Sequence, residues 1–331
     1  MKLGIVGSGL IVQAFLPRLV KMEGLQVQAI QGTPKSAEQV EQLCAENGVP
    51  HACSSFEQLC GLDIDTVYVA VPNFLHADYC RRALEKGLHV IVEKPMASNA
   101  REAETLAALA KEKGLFLFEA VTTPYLANFA KIREWLPQIG TVKMVQSQYS
   151  QYSRRYDAFR AGQVLPVFDP AKSGGAMLDL NLYNLHLIMD LFGEPMQVQY
   201  SANVERGIDT SGVLLMQYPG FQALCLAAKD SKGATGAVFQ GTDGCIRTAG
   251  SPNYIGTVTL ERNDGTVLAC NEGTPQDRLL PEFRAFIHCV NEKDHAFAEQ
   301  MLARSIAVSR VQTQARLQAG VLFPADEGET T

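Results

Sequence analysis

The run Lys2-Leu3-Gly4-Ile5-Val6-Gly7-Ser8-Gly9-Leu10-Ile11-Val12 near the start of the chain decides its fold. Residues 3–6 are apolar or small, as in a short buried strand, and a helical pattern begins just after Gly9. Gly7 permits a tight turn at that junction, and Gly9 leaves bare backbone at a helix N-terminus, where free N–H groups favour an anion. With Ser8, Leu10 and Ile11 they form a candidate pyrophosphate loop of a dinucleotide site. Val12 occupies the third glycine position of that fingerprint, so the spacing taken alone is also compatible with an ordinary strand-to-helix turn. Pro17, inside the following helix, predicts a kink or an end to regular hydrogen bonding there.

Outward from this loop, β-rich runs at 3–6, 25–30, 66–71, 89–92 and 115–118 alternate with amphipathic stretches. Ser36 and Gln39 fit a capping box, and Gly48 and Gly87 fit helix ends. The fold class this predicts is α/β, with an N-terminal Rossmann domain, a doubly wound parallel sheet, over residues 1–120. The rhythm then changes to a helix at 124–135, a strand at 142–151, a long loop to Ser173 and a helix at 174–192. Alternation from 196 to 270, with Asp243-Gly244 and Asp264-Gly265 as hairpin turns, predicts a mainly antiparallel, open-faced sheet. Helices at 280–290 and 299–318 complete a C-terminal α+β domain over 121–324. Residues 325–331 are expected to form a disordered tail.

Bulk composition narrows the function. Of 331 residues, 47% are hydrophobic and 19% charged, which suits buried cores and excludes a disordered chain. The net charge of −6 is spread along the chain and offers no footprint for nucleic acid or an anionic membrane. None of the eight cysteines falls in a C-x-x-C pair, so free thiols in a reducing cytoplasm are expected, and no metal site. No apolar run reaches the ~18 residues of a membrane span.

The end of the second strand reads Gln31-Gly32-Thr33-Pro34-Lys35 and lacks the acid that bonds the ribose 2′-hydroxyl of NAD. Thr33 and Lys35 could instead meet a 2′-phosphate, which tilts the cofactor from NAD toward NADP; equally, Lys35 could simply solvate the next helix. Lys94, between Glu93 and Pro95, follows an apolar strand directly and should stand at the carboxyl edge of the sheet, where ligands bind. It is either a polarising cation or part of a surface turn. Helix 174–192 carries Asp179, Tyr183, His186 and Asp190 along one face, either as a hydrogen-bond network or as the wall of a wet pocket. The loop 152–169, with Tyr152 and Arg160, could add substrate contacts.

Together these segments resemble the glucose-fructose oxidoreductase, inositol dehydrogenase and rhizopine-catabolism (Gfo/Idh/MocA) family of NAD(P)-dependent oxidoreductases, in a pattern closest to its dihydrodiol dehydrogenase-like branch. The resemblance rests on Gly7-x-Gly9, on Val71-Pro72-Asn73-Phe74-Leu75-His76, on Glu93-Lys94-Pro95, and on Ser173-Gly174-Gly175-Ala176-Met177-Leu178-Asp179. It implies that Lys94 is the catalytic lysine and that Val71, Pro72, Asn73, His76 and Glu93 serve the cofactor site. It further implies that Asp179 and Tyr183 form the second catalytic motif, with Tyr183 as acid/base. Asn181 stands where the family has glycine, which puts local packing in question.

The expected activity is hydride transfer between NAD(P) and a hydroxyl or carbonyl of a sugar, cyclitol or dihydrodiol, with His186 as a further substrate contact and catalysis dependent on the cleft between domains. A nearby lysine cation would ease loss of the tyrosine proton. The alternative is a catalytically silent NAD(P)- or sugar-binding regulator on the same fold. A homodimer or homotetramer through the second-domain sheet is expected, because one face of that sheet needs cover.

Overall fold

Leu3, Ile5 and Val6 of β1 (Lys2–Val6) are fully buried, as in a parallel strand covered by helices on both faces. The computed structural model describes residues 1–327. After β1 come α1 (Leu10–Leu19), β2 (Gln26–Gln31), α2 (Ala37–Asn47), β3 (His51–Cys53) and α3 (Phe56–Cys60). They are followed by β4 (Thr66–Val69), α4 (His76–Glu85), β5 (His89–Glu93), α5 (Ala100–Glu112) and β6 (Leu117–Ala120). The strands pair in parallel in the order β3-β2-β1-β4-β5-β6. The chain direction across the sheet reverses between β1 and β4, so Gly7 and Ala70, just past their ends, flank the switch point where such sheets bind ligands.

Several local expectations change. β3 and α3 were not expected, since β3 has three residues and two of them are exposed. The capping box joins Thr33 and Ser36, three residues earlier than Ser36 and Gln39: the Thr33 N–H donates to Ser36 Oγ at 3.0 Å. α1 continues through Pro17 and ends at Leu19.

The chain divides into two compact units, the first being Met1–Ala120 with Leu279–Ile306 and the second Val121–Arg278 with the chain from Ala307 onward. The segment from Leu279 to Ile306, expected in the second domain, thus belongs to the first. Its aromatic face explains why: Phe283 packs on Phe15 and Tyr68 with ring centroids at 5.0 and 5.2 Å, and Phe286 stacks on Phe118 at 4.7 Å. The helix covers one face of the parallel sheet and removes those rings from water.

The second unit contains α6 (Ala127–Trp135), β7 (Val142–Ser150), α7 (Arg154–Arg160) and α8 (Leu182–Phe192). Then come β8 (Gln197–Glu205), β9 (Ile208–Tyr218), β10 (Phe221–Ala228), β11 (Thr235–Gly241), β12 (Gly244–Ala249), β13 (Val258–Arg262) and β14 (Val267–Cys270). Their order is β14-β13-β12-β11-β7-β10-β9-β8, antiparallel throughout except that β7 and β10 run parallel. One sheet face is core: Leu185 and Ile188 of α8 belong to the same buried cluster as Leu214, Met216 and Phe239. On the other face Met144, Val213 and Leu215 stay exposed.

The loop after β7 is less irregular than expected, since it forms α7. Helix 174–192 is not a single α-helix either: a π-helical turn, Met177–Asn181, precedes α8. Residues 325 and 326, expected in a disordered tail, belong to a short 3-10 turn, Pro324–Asp326. Asp326 accepts from both Nη atoms of fully buried Arg316, at 2.6 and 2.8 Å, and a buried guanidinium needs that partner. The rest of the expected tail, 328–331, lies outside the described residues.

Candidate active site

The β1–α1 turn is built on a glycine that nothing else could replace. Gly7 has φ +113°, and a Cβ there would lie 2.2 Å from the Ala70 carbonyl oxygen. Its N–H donates to Gln31 O at 2.9 Å, which locks the loop to β2. Gln13 Nε2 donates to Ser8 O at 2.7 Å and braces the other side. At Gly9, by contrast, a Cβ would meet nothing within 4 Å. Gly9 is the N-cap of α1, with no side-chain cap and no acid in the first turn, and Leu10 is 73% exposed. Bare backbone donors at a helix N-terminus beside open space fit a pyrophosphate. Thr33 and Lys35 are exposed at the neighbouring end of β2, while Gln31 turns its amide onto Gly32 O.

The Lys94 turn is held from below. β5 ends at Glu93, whose carboxylate accepts a short hydrogen bond from Tyr68 Oη. The Lys94–Pro95 peptide is cis. Met96 N–H donates to Glu119 Oε1 at 2.9 Å, and Glu119 itself is buried. His76 is fully buried, with Nδ1 2.7 Å from Pro95 O and Nε2 2.9 Å from Val71 O. Burial drives its pKa down, and the Lys94 charge pushes the same way, so the ring is kept neutral and donates from one nitrogen only. A neutral His76 can donate to only one of these two carbonyls; it packs between the Val71-Pro72-Asn73 segment and the Lys94 turn and presents no surface of its own. Tyr68 and Glu119, which complete this support, carried no signal in the sequence beyond their strands.

In the second unit Asp179 lies on the π-helical turn and Tyr183 one turn later on α8. The Tyr183 ring packs against Tyr149 with centroids 6.0 Å apart and planes at 56°. Asp179 pairs with Lys229, a residue the sequence did not single out, just past the end of β10. Asn181, in the family's glycine position, is accommodated by a buried amide network: Asn184 Nδ2 donates to Asn181 Oδ1 at 2.8 Å and to Leu226 O at 2.9 Å, and Ser147 Oγ donates to Asn184 Oδ1 at 2.7 Å. The expected polar stripe therefore divides. Asp179 stays partly open, whereas His186 is buried with Nδ1 3.8 Å from Asp190 Oδ2, which makes it a core group with no surface for a substrate.

Tyr149 also borders a cavity of about 520 Å³ in the second unit, lined further by Gln151, Tyr152, Lys232, Asn253 and Arg278. Hydroxyls, amides and aromatic faces in one cavity suit a polyhydroxylated ring. Tyr152 lies on its wall and donates to Asp157 Oδ1 at 2.5 Å; Arg160, at the end of α7, is exposed outside the lining. Among the described residues no group of His, Cys, Asp and Glu could hold a metal ion, and no helix is long and apolar enough to cross a membrane.

A dinucleotide loop at a doubly wound switch point, a supported lysine at the sheet edge and an Asp–Tyr pair on a second α+β unit define an NAD(P)-dependent oxidoreductase. Comparison with known proteins agrees. Residues 1–121 match the family described as oxidoreductase, NAD-binding Rossmann fold, and residues 129–247 match the GFO/IDH/MocA C-terminal domain. The chain is 33% identical over 331 residues to scyllo-inositol 2-dehydrogenase (NADP(+)) IolU of Bacillus subtilis, spanning 99% of each. It is 28% identical over 222 residues to the trans-1,2-dihydrobenzene-1,2-diol dehydrogenase of Oryctolagus cuniculus, 65% of each chain. Its fold superposes on KijD10, a 3-ketoreductase of Actinomadura kijaniata solved with NADP and TDP-benzene, with a TM-score of 0.83 at 21% identity over 96% of this chain and 97% of that one. The chain belongs to the Gfo/Idh/MocA oxidoreductase family.

Proposed function

We propose that this chain interconverts a ring hydroxyl and the matching ketone of a cyclitol or sugar, with NADP(H) in preference to NAD(H). The observation that carries the reading is the Asp179–Tyr183 pair, with Tyr183 packed on Tyr149, which lines a polar cavity, on a chain similar over its whole length to a scyllo-inositol dehydrogenase. A nicotinamide, when bound, would supply the hydride chemistry. Tyr183 Oη takes the hydroxyl proton during oxidation and returns it during reduction. Lys94 supplies positive charge that favours the oxyanion forms. Asp179 accepts a hydrogen bond from a neighbouring substrate hydroxyl, and Tyr152 bounds the cavity. Backbone N–H groups of the Gly7–Ile11 loop would hold the pyrophosphate, and Thr33 and Lys35 would meet the 2′-phosphate. Val71, Pro72 and Asn73 would flank the cofactor, with His76 packed behind them and Glu93, held by Tyr68, at the base of the Lys94 turn.

The exposed apolar residues Met144, Val213 and Leu215 support a homodimer or homotetramer joined through that sheet face. The cysteines, all present as free thiols, support a cytoplasmic setting. The test is a nicotinamide absorbance screen with both cofactors against inositols, aldoses, deoxysugars and trans-dihydrodiols. Turnover of a cyclitol or sugar, faster with NADP(H), is expected. Silence across the panel with intact cofactor binding refutes the reading and leaves a regulator.

A further inference from the structure

Beneath Asp179 lies a lysine that neither the motif nor the proposed proton transfer uses. The Lys229 side chain is 3% exposed, against 33% for Asp179, and its Nζ donates a short hydrogen bond to Asp179 Oδ2. Lysine is almost never buried so deeply unless paired, because removing an ammonium from water is costly. Its backbone is pinned at both ends: the Lys229 N–H donates to Thr210 O at 2.8 Å, and Lys229 O accepts from Ser153 N–H at 2.8 Å. The ammonium lies 5.7 Å from the Phe168 ring centroid. Two other acids nearby accept hydrogen bonds of their own, and Asp209 also feels the Lys229 charge. Asp230 Oδ2 accepts from Thr210 and Ser211 hydroxyls at 2.8 and 2.6 Å, and Asp209 Oδ2 accepts from Met177 N–H and Tyr200 Oη at 2.6 and 2.8 Å.

The pair is therefore asymmetric, with a buried cation below and a half-open carboxylate above. The π-helical turn that carries Asp179 is a feature often found at functional sites. A carboxylate held by an ammonium offers only acceptors on its open side. We infer that Lys229 is a positioning residue: it holds Asp179 oriented so that its open edge accepts a hydrogen bond from a hydroxyl on the carbon next to the reacting one. The substrate class this selects is a vicinal diol or polyol, and a deoxy analogue leaves the carboxylate without its donor. The inference rests on the proposed function and adds to it the reason for that selectivity.

The test compares wild type, Lys229→Met, Lys229→Arg, Asp179→Asn and the Lys229→Met/Asp179→Asn double variant on the best polyol and on its vicinal deoxy analogue. Lys229→Met should raise KM for the polyol ~10-fold or more, the loss typical of a hydrogen bond to a charged group, and should bring it close to that of the deoxy analogue. NADPH affinity should stay within ~2-fold of wild type, and Lys229→Arg should recover part of the loss. Because Lys229 acts through Asp179, the double variant should be no worse than Asp179→Asn within ~2-fold. Should Lys229→Met fail to fold, the double variant, which leaves neither charge buried alone, and the arginine variant carry the comparison. Wild-type kinetics in Lys229→Met, or losses that multiply in the double variant, overturn the inference alone. Absence of turnover in wild type overturns the functional reading and the inference with it.

Discussion

Alanine at Gly7 and alanine at Gly9 should fail in different ways, although the two glycines are one residue apart in a single loop. At Gly7 an added Cβ would lie 2.2 Å from Ala70 O and 2.9 Å from its carbonyl carbon, with φ at +113°. Holding an L-residue in such a conformation costs about 1–3 kcal/mol. A relaxed carbon–oxygen contact is about 3.3 Å, so the ends of β1 and β4 would have to part by roughly 1 Å. Overpacking of that kind adds about 1–3 kcal/mol. The cofactor-free protein should therefore lose about 2–6 kcal/mol, a large share of the stability of an ordinary domain.

Gly9→Ala should leave the cofactor-free protein within about 0.5 kcal/mol of wild type, because its φ is −69° and nothing lies within 4 Å of the new methyl. The proposed binding mode brings the phosphates into that space, so its NADPH Kd should rise ~10-fold or more, equivalent to about 1.4 kcal/mol. Urea unfolding is best followed by far-UV circular dichroism, because the chain's lone tryptophan, Trp135, lies in the second unit. Affinity is read from NADPH fluorescence. Gly7→Ala as stable as wild type, or Gly9→Ala binding NADPH with wild-type affinity, refutes the reasoning about the loop.

Asp326→Ala leaves the Arg316 guanidinium buried without its carboxylate and should cost about 3–5 kcal/mol, read as a lowered Tm in calorimetry. Asp209 is fully buried, and burial lifts its carboxyl from 3.8 to about 6, so the fold disfavours its charged form. Stability should therefore decline as pH rises from about 4 to 6, by about 3 kcal/mol from this group, and Asp209→Asn should flatten that slope in urea melts across the range. His76 has the opposite sign: with its pKa lowered by burial, its contribution is complete above its unfolded pKa of about 6.5 and is lost as pH falls below it. Val213→Lys with Leu215→Glu on the exposed sheet face should shift the protein to a monomer in light scattering, while an unchanged mass places the interface elsewhere.

The first unit was legible because its signals are local. The apolar runs that became β1, β2, β4, β5 and β6 each lie within a few residues of a glycine or cap, and Gly7-x-Gly9 is read in a single glance along the chain. β3 was missed because three residues with two exposed carry almost no hydrophobic signal. The helix Leu280–Glu292 reads as part of the second domain because its partners in the first unit, Phe15, Tyr68 and Phe118, lie far away in sequence. The same limit hid Lys229, 50 residues from Asp179, and it hid the two carbonyls that face the His76 ring nitrogens. The polar stripe on helix 174–192 was visible, but only packing could show that Asp179 remains partly open while His186 is buried. A π-helical turn has no residue pattern of its own to read.

The central claim is that Lys94 and Tyr183 perform the chemistry on a cofactor held by other groups. Lys94→Met and Tyr183→Phe should each lower kcat on the best polyol by ~100-fold or more, the scale of losing acid–base help, while NADPH Kd stays within ~3-fold of wild type. Near-normal kcat in either variant, with cofactor binding intact, contradicts the account.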